Sequence, residues 1–344
     1  MLGTKIGIDL GTSTVFALVE GRGVIIKEPS VIAYDTFNGK IKAIGKDAYK
    51  MIGKAPDSLT VVQPMRDGFI NNYDAVQTML SYYIQKLCGN RIFKPNVIIC
   101  VPAGANDIDR KTVLDLVTSA GASRACVVEE PLAAALGAGI SADESDGRMI
   151  VDIGGGTTDI AVITRGCIAV SSSVNISGNS FDEAICRFTR NEKSVIIGSH
   201  TAERIKMKIG TAKILDPEIA IAAVGQDSIT KMPKSFEISS TDIFNSIKEP
   251  LDKIVEGIMA LVRQTPPELV SDVTSNGIIL TGGSAMLRGI DEYIEEKTGL
   301  RTRCADKPIQ CVIKGIDVLL EDMSLLEENG YVFKSIMDFD DYEE

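Results

Sequence analysis

The chain has 344 residues, enough for two lobes that each bury a core of their own. Apolar residues make up 44% and charged residues 24%, a globular balance that excludes a disordered or low-complexity chain. Against 47 Asp and Glu stand 36 Lys and Arg, a net charge of -11 that argues against bulk electrostatic binding to nucleic acid or to an anionic bilayer.

The first element is a strand, turn, strand unit: Ile6-Gly7-Ile8, then Asp9-Leu10-Gly11-Thr12-Ser13-Thr14, then Val15 to Val19. Gly23 to Lys27 and Glu28 to Ala33 are extended. Asn38-Gly39 predicts a hairpin between Val31–Tyr34 and Ile41–Ile44. Apolar residues at helical spacing predict a helix over Asp74 to Leu87. Val97 to Val101 is a continuous apolar run of the kind buried on both faces of a sheet. A helix over Asp109 to Ala120 ends at Gly121, and Ala125 to Val128 is a strand. Pro131 suits the first turn of a helix over Leu132 to Gly139.

A second unit of the first kind follows: Met149-Ile150-Val151, then Asp152-Ile153-Gly154-Gly155-Gly156-Thr157-Thr158-Asp159, then Ile160 to Ile163. Ser180 to Thr189 and Thr201 to Ile209 read as helices, and Ile219 to Val224 as a strand. Ser240-Thr241-Asp242 should cap a long helix, broken at Pro250 and ended by Pro266-Pro267. Gly277 to Leu280 is a strand leading into Thr281-Gly282-Gly283-Ser284, with Met286 to Thr298 mainly helix. The acidic end, Asp338 to Glu344, is expected to be a solvated tail. No apolar run approaches the roughly 20 residues of a membrane helix, and no secretory signal opens the chain, so a cytoplasmic location is expected. Seven cysteines with no C-x-x-C pair are expected to be reduced thiols, buried at Cys100 and Cys126.

The repetition is of a whole α/β domain, so the expected fold is two related lobes around a cleft. Glycine lets the backbone of each turn approach a bulky anion, and turn amides with Thr or Ser hydroxyls suit phosphate oxygens. An aspartate at the head of each turn would repel phosphate directly and instead suits a metal ion or a water. Two such hairpins facing each other make a jaw for a nucleotide–metal complex.

The ordered set of motifs resembles the actin superfamily and, more closely, the MreB family of bacterial actins. It comprises Ile8-Asp9-Leu10-Gly11-Thr12, Glu28-Pro29-Ser30-Val31, Arg66-Asp67-Gly68, Glu129-Glu130-Pro131-Leu132, Asp152 to Thr158, Thr201-Ala202-Glu203-Arg204-Ile205-Lys206, Pro266-Pro267-Glu268-Leu269 and Leu280-Thr281-Gly282-Gly283. The resemblance implies an actin-like fold of duplicated ribonuclease-H-like domains with four subdomains. These would be IA at 1–31 and 77–141 with part of 315–344, IB at 32–76, IIA at 142–179 and 251–314, and IIB at 180–250.

The resemblance also implies ATP or ADP with Mg²⁺ in the cleft. Asp9 and Asp152 would face the metal through water, since magnesium keeps several waters beside phosphates. Gly11, Thr12, Ser13 and Thr14, with Gly154, Gly155, Gly156 and Thr157, would hold phosphates. Glu130 would position the attacking water, while Glu129 better fits an acidic helix start. Asp159 would be a second catalytic, water-organising acid; it stands where the family usually has glutamate, one methylene longer, so slow hydrolysis is expected. Glu203 and Lys206 would clasp ribose and adenine, or else form a solvent-facing pair at i, i+3. Gly282, Gly283, Ser284 and Met286 would border the nucleoside and α-phosphate; the family usually has a third glycine at Ser284. Ile92-Phe93, between Arg91 and Lys94, would insert into the inner face of the cell membrane, or Phe93 would tuck into the core.

The leading expectation is an ATP-dependent filament protein of cell shape or motility, with itself and paralogous proteins as partners and no nucleic acid. A low-turnover nucleotide-binding regulator is the alternative, kept open by Asp159 and Ser284. A small-molecule kinase lacks any sign of a sugar site, and a chaperone ATPase would need a peptide-binding domain after the nucleotide lobe.

Overall fold

A computed structural model describes residues 3–89, 93–328 and 330–335. The first half opens with the meander β1 (Lys5–Leu10), β2 (Thr14–Val19) and β3 (Gly23–Pro29). A small sheet follows, built from β4 (Ile32–Asp35), β5 (Ile41–Ile44) and, after the short helix α1 (Lys46–Tyr49), β6 (Leu59–Val62). The Asn38-Gly39 hairpin joins β4 and β5 as expected, with Gly39 at φ 67°. The ribbon β7 (Met65–Arg66) and β8 (Phe69–Ile70) leads to α2 (Tyr73–Cys88), β9 (Asn96–Val101), α3 (Asp107–Ser119), β10 (Arg124–Glu129) and α4 (Glu130–Gly137).

The second half repeats this plan. The meander is β11 (Arg148–Ile153), β12 (Thr158–Thr164) and β13 (Cys167–Val174), followed by α5 (Gly178–Glu192). A second small sheet joins β14 (Val195–Ile196), β15 (Ala220–Asp227) and β16 (Pro233–Ser239), with α6 (Ser199–Ile209) between the first two. Then come α7 (Ser240–Gln264), α8 (Pro267–Asn276), β17 (Ile278–Thr281), α9 (Ile290–Thr298), β18 (Thr302–Cys304), α10 (Cys311–Glu321) and α11 (Ser324–Glu328).

The duplication is visible in the strand order. One large sheet runs β3-β2-β1-β9-β10 and the other β13-β12-β11-β17-β18. In each, three antiparallel strands are extended by two parallel ones. As its unbroken apolar run predicts, β9 is buried along its whole length. Helices α4 and α10 fill the space between the sheets: their core includes Phe16 and Ile98 from one and Ile150 and Ala161 from the other. These two helices touch backbone to backbone. A Cβ on Gly137 would lie 1.8 Å from the Cys311 carbonyl oxygen, and one on Gly315 would lie 1.7 Å from that of Ala133. Only glycine permits that crossing.

Several expectations need correction. Helix α3 starts at Asp107, because Asn106 rather than a later residue accepts from the Ile108 and Asp109 amides. Helix α4 begins at Glu130, two residues before the expected start. The cap of α7 is Ser239, paired with Asp242 in a capping box. Pro250 does not break α7. Ile243 and Ile247 before it and Leu251, Ile254, Ile258 and Leu261 after it are all buried in one core. At roughly 1.5–3 kcal/mol each, they outweigh the ~3 kcal/mol cost of an internal proline. Gly289, at φ 71°, splits the helix expected over Met286 to Thr298 into a 3-10 turn at Ser284–Met286 and α9. Cys100 and Cys126 are buried as expected.

Candidate functional site

The two turns meet. A Cβ on Gly155 would lie 2.1 Å from Ser13 Oγ, and one on Gly156 would lie 2.3 Å from Thr12 Oγ1. The absence of side chains at both positions is what lets the turns close on each other. The Gly68 amide donates to Thr12 Oγ1 at 2.9 Å, fixing the first turn against the β7–β8 ribbon. Behind the second turn stands the start of α5. The Gly178 and Asn179 amides donate to the carbonyls of Gly154 and Gly155 at 3.1 and 3.0 Å, and Ser177 Oγ reaches the Gly155 carbonyl at 2.6 Å. A helix start has unpaired amides, and here they are spent on these carbonyls. Because a trans peptide sets N–H opposite C=O, the Gly155 and Gly156 amides then point away from α5. Outward-facing turn amides form a cradle for an anion.

Four carboxylates converge beside this cradle. Asp9 comes from β1, Glu130 from the first turn of α4, Asp152 from β11 and Asp159 from β12. Asp9 and Glu130 keep a partly exposed edge; Asp152 and Asp159 are 5% and 1% exposed. Burial, then the Asp152 charge, raises Asp9 to about 7. Burial likewise raises Asp152 to about 7, against the hydrogen bond from Thr281 Oγ1 at 2.6 Å. Glu130 is raised well above its usual value by burial and by Asp159, Asp9 and Asp152. Asp159 is raised by burial, although the Thr157 hydroxyl at 2.9 Å and the Ala103 amide at 2.8 Å both donate to it.

Among the described residues, no three such side chains stand close enough to enclose a metal ion by themselves. Repulsion without enclosure fits a cation that brings its own water and phosphate ligands. Glu130 also lines a cavity of about 340 Å³ with Leu10, Met65, Phe69, Val101 and Val113. Its neighbour Glu129 turns away, accepting from Arg110 Nη2 at 2.7 Å and from the Tyr331 hydroxyl. That separates the two glutamates, leaving Glu130 for the cleft.

Of the two expectations for Glu203 and Lys206, the solvent-facing pair at i, i+3 does not form. Lys206 does not pair with Glu203. Its ammonium donates to Asp182 Oδ2 and to the Gly178 carbonyl, both at 2.8 Å. Glu203 instead accepts from the Tyr49 hydroxyl of the other half. Ser284 Oγ donates to the Gly154 carbonyl at 3.0 Å, so the serine buttresses the second glycine turn. Gly282 follows Thr281 and packs on the Ile153 carbonyl, and Gly283 lies near Ile309. Met286 is 65% exposed at the end of the 3-10 turn. Gly11 abuts the Thr14 carbonyl, holding the first turn tight.

Asp182, Tyr49 and Ala103 carry no site signal in the sequence; Thr281 lies in the Leu280-Thr281-Gly282-Gly283 motif, and its role comes from the bond to Asp152. Of the loop at 91–94, Ile92 lies outside the described residues, and Phe93 is 62% exposed rather than tucked into the core.

Two duplicated lobes, facing glycine turns and a carboxylate cluster between them define an actin-like protein with a nucleotide-type cleft. The model of the MreB/Mbl protein family matches residues 3–328. The chain is 38% identical over 327 residues to the cell shape-determining protein MreB of Escherichia coli (strain K12), covering 93% of this chain and 94% of that one. It is 36% identical over 327 residues to the cell shape-determining protein Mbl of Bacillus subtilis (strain 168), covering 95% and 98%. The crystal structure of MreB5 of Spiroplasma citri bound to AMPPNP superposes with a TM-score of 0.91 at 36% identity, covering 96% and 99%. The MamK double helical filament superposes at 0.80 with 21% identity, a likeness of fold. The chain belongs to the MreB/Mbl family.

Proposed function

We propose that this chain binds ATP and ADP with Mg²⁺ in the cleft, hydrolyses ATP slowly and assembles into filaments that serve cell shape or motility. The observation that carries this reading is the contact of the Ser13 turn with the Gly155 turn beside four carboxylates. Amides of Gly11 to Thr14 and Gly154 to Thr157 take the β- and γ-phosphates. Asp9 and Asp152 hold the cation through water. Bound magnesium neutralises charge on the phosphate oxygens. Glu130 orients the attacking water, Gly282 to Met286 border the nucleoside, and Lys206 and Glu203 approach ribose and base. The relative from Spiroplasma citri has been solved with both AMPPNP and ADP, which supports an adenine nucleotide here.

Subdomain boundaries at 32–76 and 180–250 accord with the two small sheets, which lie within those ranges. Head-to-tail stacking of subunits gives a heterologous contact that does not close. The loop at 91–94 carries the filament to the inner membrane face, and paralogous chains co-assemble. Among the described residues, no helix is long and apolar enough to cross a membrane, so a peripheral contact repeated along a filament is the fitting mode.

One observation favours a second reading, a low-turnover regulator. Both carboxylate oxygens of Asp159 accept hydrogen bonds from the protein itself, which fixes this shorter side chain in place. Sedimentation and phosphate release with ATP–Mg²⁺ decide between the two. A filament former pellets in ATP and releases phosphate slowly. A regulator binds nucleotide but neither pellets alone nor turns over.

A further inference from the structure

Tyr49 lies in α1 of the first half, while His200 and Glu203 lie one helical turn apart in α6 of the second. The Tyr49 hydroxyl donates to Glu203 Oε2 and stands 2.8 Å from His200 Nδ1. A phenol has one proton. With that proton given to the carboxylate, its oxygen accepts from an Nδ1–H of the imidazole. The Tyr49 and His200 rings meet edge to face, with centroids 4.8 Å apart and planes at 82°. Among the described residues, these are the only two hydrogen bonds that join residues 32–76 to residues 180–250.

Each side of this contact is wired to its own phosphate turn. Tyr49 packs on the small core of Val31, Ala33 and Ala48. The start of α1 is held where the Lys46 amide donates to Glu28 Oε2 at 2.9 Å. Two residues beyond Glu28, the Ser30 amide donates to the Ser13 carbonyl at 3.0 Å, so α1 follows the first turn. In α6, one turn beyond Glu203, Lys206 donates to the Gly178 carbonyl at 2.8 Å. The Gly178 amide in turn holds the Gly154 carbonyl at 3.1 Å, so α6 follows the second turn. The distance from Tyr49 to Glu203 therefore reports the spacing of the two turns. Glu203 Oε1 has no part in the Tyr49 bond, which leaves a carboxylate oxygen for a sugar hydroxyl on the same group.

We propose that Tyr49, Glu203 and His200 form a latch across the cleft that slows release of a bound nucleotide. This inference rests on the reading of the cleft as a nucleotide site. Tyr49 is a positioning residue: it acts through Glu203 and need not touch the ligand. With the two turns in contact the latch is closed, and a polyphosphate held between them keeps it so; the ligand leaves only after the phenol and carboxylate part.

The test is stopped-flow displacement of a fluorescently labelled ADP from the full chain in Mg²⁺. Tyr49→Phe keeps the ring and its packing and removes only the hydroxyl. Loss of one half-exposed hydrogen bond to a carboxylate should raise the off-rate about tenfold. The on-rate should stay within about twofold, because the turns that capture the phosphates are untouched. His200→Ala should raise the off-rate too, and the double variant should fall short of the product of the two effects. An off-rate within about twofold of the unaltered chain in Tyr49→Phe overturns the latch and leaves the nucleotide site standing. Failure of the unaltered chain to bind the labelled nucleotide overturns the cleft reading and the latch with it.

Discussion

Asp152 and Asp159 stand opposite each other in register across β11 and β12, so one strand pair brings two buried carboxylates into a single site. Their neighbours Asp9 and Glu130 come from the other half of the chain, and all four acids are held above their usual range.

That arrangement sets a pH dependence. Asp9 and Asp152 rise from 3.8 to about 7, so between these values the folded chain binds more protons than the unfolded one. Stability of the cation-free protein should therefore fall as pH rises from 3.8 to about 7. Thermal melting in chelator across this window checks it, and Asp152→Asn should flatten the slope. Mg²⁺ with ADP should stabilise most at the upper end, where the acids are ionised. A melting temperature that climbs with pH in chelator, in both the parent and the variant, contradicts the account.

Lengthening the side chain at Asp159 should speed turnover. Aspartate is tied to Thr157 and Ala103, and a displacement of about 1 Å costs on the order of 100-fold in rate. Asp159→Glu should raise steady-state phosphate release by up to about 100-fold. An unchanged or lower rate would remove side-chain length as the limit on the proposed hydrolysis.

Glu130 lines the cavity beside the cradle, whereas Glu129 is committed to Arg110 and Tyr331. Glu130→Gln should reduce phosphate release by about 100-fold or more, with nucleotide affinity retained. The matching change Glu129→Gln should act mainly on stability, read as a lowered urea midpoint. If both variants lose turnover equally, the separation of roles fails.

At the base of the cleft, α4 and α10 leave no space for a methyl group at Gly315, where a Cβ would lie 1.7 Å from the Ala133 carbonyl oxygen. Gly315→Ala should destabilise the fold by at least about 1–3 kcal/mol, since two helix backbones have to part. Urea denaturation measures this; Gly330→Ala, where a Cβ would meet nothing within 4 Å but φ is 77°, provides a strain-only comparison.

Phe93 is exposed beside Lys94. Under filament-forming conditions, Ile92→Ser with Phe93→Ser should lower co-sedimentation with vesicles of bacterial lipid, while pelleting without vesicles stays the same. Equal lipid binding by parent and variant would remove this loop as the anchor.

Residue order alone was enough to reveal the duplicated hairpins, the buried strand β9 and the acids that head the turns. Those features are local: glycine, threonine and aspartate at a bend, with apolar runs on either side, behave alike wherever the chain puts them. Partnerships were decided only by folding. The exchange of Lys206 from Glu203 to Asp182, the reach of Tyr49 across the cleft, the turning away of Glu129 and the pinning of Asp159 all join segments far apart in sequence. Pro250 belongs with them, since the helix passes through it only because a shared core buries both sides. A side chain's partner depends on which distant backbone the sheet order brings within about 3 Å, and no local pattern encodes that distance.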